Sequence, residues 1–143
     1  MKSLDFIISI GKVFMRFKIS IPATSANVGP GFDVMGIAFD MYNRFTFDTD
    51  CSQRLVIEGC LPEFAEPENN LLYTTLTKVL AQHGHATPNL KITFDTDLPV
   101  CSGLGSSSTC IVAGVMAANV IGNLSMDTEQ ILRTTTLIEG HPD

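Results

Sequence analysis

The residues with the clearest chemical capacity are PVCSGLGSSST, residues 99–109. Gly103 and Gly105 flank a single leucine, and four hydroxyl side chains follow in Ser106, Ser107, Ser108 and Thr109. Holding several anionic oxygens needs N–H donors aimed at one point with no side chain in the way. Glycine permits both the close approach and the unusual backbone angles. When such a loop opens a helix, the free N–H groups of the first turn add a partial positive charge. The stretch that follows, STCIVAGVMAANVIGN, is apolar almost all round, which predicts a buried helix. No lysine follows the glycines, so the loop is not a Walker A sequence, and no third glycine completes a dinucleotide fingerprint. Taken alone, these residues also fit a serine-capped helix after a glycine turn. The hydroxyls outnumber what one cap uses, and one of them suits Mg2+ as an oxygen ligand.

The elements that must position this loop can be read from periodicity. RFKISI, residues 16–21, alternates polar and apolar residues as a half-buried strand does. A loop rich in Gly, Pro, Ser and Asn follows, PATSANVGPGFD. Residues 34–39 and 42–48 read as two strands joined by a short Asp-Met connection, and residues 54–59 as another. In NNLLYTTLTKVLAQHG, Asn70 can cap a helix whose Leu72, Leu76, Val79 and Leu80 share one face, with Gly84 as the stop. LKITF, residues 90–94, is a further strand. Asp127 with Gln130 forms a capping box for a last helix reaching about Ile138. Early strands followed by helices alternating with strands make the class α+β.

Bulk properties narrow the function. The 143 residues amount to about one domain, with 45% hydrophobic and 17% charged residues, an ordinary globular balance. A net charge of −6 and the lack of any Lys/Arg-rich run argue against nucleic acid as a partner. An anionic ligand must therefore be held locally, by backbone dipoles and a metal. Cys51, Cys60, Cys101 and Cys110 form no CxxC pair, so reduced thiols in a cytoplasmic protein are expected. A Cys51–Cys60 disulfide has no secretory context to motivate it. The opening MKSLDFIISIGKVF has neither a signal peptide's organisation nor the length to span a bilayer, so no membrane association is expected. Residues 1–14 read as an extension, with Met15 a second candidate start, and residues 15–143 as the domain.

PVCSGLGSSST resembles the second motif of the GHMP small-molecule kinases, P-x-x-x-GLGSS followed by two small residues, commonly alanines. Here those two are Ser108 and Thr109. PATSANVGPGFDVMGIAF, residues 22–39, is similar to the opening motif of the homoserine kinases in that family, and the terminal EGHPD to another of their segments. The three motifs occur in order and span the chain after Met15.

The resemblance implies ATP and Mg2+ as cofactors and L-homoserine as the phosphate acceptor. Residues Pro99, Val100, Cys101, Ser102, Gly103, Leu104, Gly105, Ser106, Ser107, Ser108 and Thr109 would wrap the ATP phosphates, and Asn70 would lie on the adenine side. Ser107 and Glu139 would hold the metal. Asn27, Asp33 and His141 would contact the substrate, Asp33 being suited to its ammonium. No catalytic base is assigned.

As a fold, the resemblance implies the N-terminal domain of these kinases: a mixed sheet with helices on one face and a left-handed βαβ unit, which no periodicity argument would yield. Since the family's enzymes are about twice this length, it also implies a chain truncated before its C-terminal domain and inactive alone. A homodimer is compatible with the full-length form. The competing readings are a family kinase for another small alcohol and a non-catalytic nucleotide-binding module.

Overall fold

The computed structural model describes residues 14–26, 29, 35–97 and 104–140. Among these residues four strands form one mixed sheet: β1 (Arg16–Ser25), β2 (Ile37–Asp48), β3 (Leu55–Glu58) and β4 (Leu90–Thr96), in the order β1-β2-β4-β3. β2 is antiparallel to both β1 and β4, whereas β3 runs parallel to β4. The helices are α1 (Leu71–Gln82), α2 (Ser106–Ile121) and α3 (Thr128–Glu139). β3–α1–β4 is a βαβ unit, and the α+β class is as expected.

Alternation decides which face of the sheet is buried. Phe17 and Ile19 of β1, Phe45 and Phe47 of β2, and Leu90 and Ile92 of β4 all enter one core. Their neighbours on the opposite phase carry cross-strand ion pairs, Lys18 with Asp95 and Lys91 with Glu58 among them. Phe17 stacks on Phe47 with ring centroids 5.0 Å apart, and Phe45 meets Phe94 edge-on at 5.2 Å. Each fully buried aromatic contributes about 1.5–3 kcal/mol of transfer free energy.

α2 is the central helix, packing on α1, α3 and the sheet. That placement explains why its sequence shows no polar stripe: Ile111, Ala113, Val115, Ala117 and Ala118 are all buried. Gly114 is required by the α1 crossing. A Cβ there would lie 2.8 Å from the Leu72 carbonyl oxygen and 2.8 Å from Thr75 Cβ.

One expectation is corrected. Residues 34–39 and 42–48 were expected as two strands, but from Ile37 the chain runs as a single strand to Asp48. The Asp40-Met41 dipeptide falls where the β1–β2 register shifts, between Pro22 and Thr24. Pro22 has no N–H to give the ladder, so the extra β2 residues bulge out there instead of turning the chain. The two capping predictions hold. Asn70 accepts from the Tyr73 amide at 2.9 Å, and Asp127 and Gln130 complete a reciprocal box.

Candidate functional site

α2 begins without a side-chain cap, unlike α1 and α3. The residue before its first turn is Gly105, in the left-handed conformation (φ 69°, ψ 26°). Its carbonyl accepts the first helical bond, from the Thr109 amide at 2.9 Å. The amides of Ser106, Ser107 and Ser108 precede the reach of the helical ladder, so they point outward along the axis. No acidic residue lies in this first turn to compete for them. A helix start with its dipole positive and, among the described residues, no side chain capping its first-turn amides is suited to an anion.

The helix start is anchored on several sides. The Thr24 amide of β1 donates to the Leu104 carbonyl at 3.3 Å. Gly105 lies so close to Thr24 that a Cβ would come within 2.9 Å of its Oγ1 and 3.1 Å of its carbonyl oxygen. Thr109 Oγ1 donates to the Ser106 carbonyl at 2.8 Å and accepts from Asn43 Nδ2 of β2 at 2.6 Å. Asn43 Oδ1 in turn accepts from Thr96 Oγ1 of β4. On the α3 side, Ser108 Oγ donates to Glu139 Oε1 at 2.8 Å.

Asp97, the last described residue before the loop, is also fixed. Its carboxylate pairs with Arg44 Nη2 at 2.8 Å and accepts from the Tyr42 amide at 3.3 Å. Arg44, foremost by hydrogen bonding, and the Tyr42 amide hold this carboxyl below the usual carboxylate range.

Of the residues singled out in the sequence, Ser106, Ser107, Ser108, Thr109 and Glu139 meet at this helix start. Ser107 is the exposed member of the group and Thr109 the buried one. Glu139 engages Ser108, next to the Ser107 expected to share its metal. Among the described residues no cluster of three or more His, Cys, Asp and Glu forms a metal site. A serine hydroxyl with one carboxylate nonetheless suits Mg2+, which takes few protein oxygens and binds phosphates for the rest. Asn70 is buried, and both polar atoms of its side chain go to backbone: Oδ1 to Tyr73 N, Nδ2 to the Phe64 carbonyl at 2.7 Å. Asn27, Asp33, Pro99, Val100, Cys101, Ser102, Gly103 and His141 lie outside the described residues.

Cys110 adjoins the site, but burial, chiefly, pushes its thiol up to about 11, with Cys60 and Glu139 adding to the shift. A thiol so protonated is no nucleophile at neutral pH. Cys51, Cys60 and Cys110 are all free.

Sequence reasoning missed Asn43, Thr24 and the Arg44–Asp97 pair. Asn43 left a signal: it shares the buried phase of β2 with Phe45 and Phe47, where an apolar residue belongs.

Comparison with known proteins adds the following. Residues 70–143 match the family model described as the GHMP kinases N terminal domain. A homoserine kinase of Clostridium botulinum is 40% identical over 126 residues, covering 88% of this chain and 42% of that protein. One from Synechocystis is 41% identical over 134 residues, covering 90% and 44%. The solved structure of a candidate homoserine kinase from Listeria monocytogenes superposes with a TM-score of 0.73 at 36% identity, covering 88% of this chain and 44% of that one. The chain thus spans less than half the length of the relatives it matches.

Proposed function

From the premise that the chain belongs to the GHMP kinases, we propose that it is the nucleotide-binding part of an enzyme that phosphorylates the hydroxyl of L-homoserine with ATP. The observation that carries this reading is the bare start of α2, where Gly105 leaves the first-turn amides open while α1 and α3 are capped by side chains. Similarity to homoserine kinases over most of the chain supports the choice of substrate.

In this reading the amides of Ser106, Ser107 and Ser108, with the backbone of residues 99–105, receive the β- and γ-phosphates. Ser107 and Glu139 would hold Mg2+, whose charge offsets that of the transferring phosphoryl group. Ser108 keeps one oxygen of the Glu139 carboxylate fixed by its 2.8 Å bond. The homoserine hydroxyl attacks the γ-phosphorus in line, ADP leaves, and the hydroxyl proton is lost to solvent or an unassigned group. Asn27 and Asp33 contact homoserine, the Asp33 carboxylate being suited to its ammonium, with His141 near the same pocket. Catalysis is then mainly positioning and charge neutralisation by fixed donors.

Residues 15–143 are read as the nucleotide-binding domain, the remainder of the substrate site belonging to the half of the relatives that this chain does not span. The reading includes a cytoplasmic enzyme with no nucleic-acid or membrane partner, a homodimer being compatible with its full-length form. The acidic net charge of −6 speaks against a nucleic-acid surface, and no helix among the described residues is long and apolar enough to cross a membrane.

The test is ADP release from ATP and Mg2+ by the product of the complete reading frame, with L-homoserine against threonine, mevalonate and shikimate. Homoserine-dependent release is expected. Release with another alcohol would overturn the substrate, and no release from folded protein would overturn the kinase reading.

A further inference from the structure

Asn43 is 3% exposed and Thr109 2% exposed, so each is a polar side chain buried against the apolar core. A buried polar group is costly unless paired, and among the described residues no buried side-chain nitrogen or oxygen lacks a partner. Thr96 donates to the Asn43 carbonyl oxygen, the Asn43 amide donates to Thr109, and Thr109 donates to the Ser106 carbonyl. The chain of bonds runs from β4 through β2 to the first residue of α2.

We propose that Asn43 is a positioning residue which, acting through Thr109, fixes the first turn of α2 against the sheet and so sets where the nucleotide phosphates bind. The inference rests on the phosphate-binding reading of α2. Thr24 holds Gly105 from β1, and Asn43 holds Thr109 from β2, one helical turn further on. Together they fix both the position and the rotation of the three amides between them. The carbonyl of Ser106 is tethered as well, which keeps its peptide plane, and hence the Ser107 amide, from rocking.

The test is a titration of MgATP with the product of the complete reading frame, its melting midpoint measured in parallel, for wild type, Asn43→Leu, Thr109→Ala, Thr109→Ser and the Asn43→Leu/Thr109→Ala double variant. A small residue at position 109 suits the fold, so the Thr109 variants test the inference even if Asn43→Leu does not fold. Loss of one buried hydrogen bond should weaken MgATP binding of the folded protein about threefold to tenfold in Thr109→Ala and Asn43→Leu. Thr109→Ser should bind as wild type does. The double variant should bind no more weakly than Thr109→Ala, because Asn43 acts through that hydroxyl. A purely structural role would lower the melting midpoint and leave the affinity of the folded protein unchanged, and that result would overturn the inference, as would additive losses in the double variant. Wild type that fails to bind MgATP would instead overturn the phosphate-binding reading.

Discussion

Replacing Gly105 by alanine tests both the geometry and the role of the α2 start. Two costs arise. Forcing a Cβ into the left-handed region at φ 69° costs about 1–2 kcal/mol. The new methyl would also stand 2.9 Å from Thr24 Oγ1 and 3.1 Å from the Thr24 carbonyl oxygen. The hydroxyl can rotate, but the carbonyl belongs to a strand and must shift, which costs a further ~1–3 kcal/mol. The restricted unfolded chain returns about 0.4–1 kcal/mol.

The net expectation is a loss of about 2–4 kcal/mol, or roughly 6–12 °C in melting midpoint for a domain of this size. Gly84 provides the internal control. It too is left-handed (φ 77°), but nothing lies within 4 Å of its would-be Cβ. Gly84→Ala should therefore cost only about 1 kcal/mol, or ~3 °C. Thermal and urea unfolding of both variants, with a MgATP titration of each, provides the comparison. Gly105→Ala should also lose nucleotide affinity, and Gly84→Ala should keep it. Equal melting midpoints for the two variants would refute the close approach of Thr24 to the helix start.

Asn70→Ala removes the α1 cap and leaves the Phe64 carbonyl without its amide donor, so a loss of about 1–3 kcal/mol is expected in urea unfolding. Cys110 should resist thiol reagents at pH 8 while Cys51 reacts, as timed labelling followed by mass spectrometry would reveal. Because the folded thiol is raised to about 11, the native state holds a proton that the unfolded chain releases earlier. Stability should be full below the ordinary thiol range and fall by about 3 kcal/mol as pH rises through that folded value, and Cys110→Ala should flatten this alkaline arm of the melting curve. Ser107→Ala should cut turnover of the complete enzyme at saturating ATP, and unchanged turnover would remove Ser107 from the metal site.

Much of this fold was legible because its signals are local. The caps at Asn70 and Asp127 are read from a few adjacent residues, and the uniform apolarity of residues 108–123 announces a helix buried on all sides. The error at residues 34–48 has a non-local cause. Asp40 and Met41 look like a turn until Pro22, on another strand, turns out to face the irregular stretch. The site divides in the same way. Its glycines and hydroxyls declare themselves by density, whereas the contact of Gly105 with Thr24 and the bond from Asn43 to Thr109 join residues far apart in sequence. Asn43 could be suspected as a polar residue in a buried phase, but its partner could not be named. Ser108 meeting Glu139 depends on how α3 returns to the start of α2, which no pattern in either segment encodes.

The most direct test of the central claim is a backbone amide NMR titration of the 143-residue chain with MgATP. The amides of Gly105, Ser106, Ser107 and Ser108 should shift first and furthest, with those at the C-terminal end of α2 unmoved. Binding that shifts amides elsewhere and leaves these four in place would contradict a phosphate site at the start of α2.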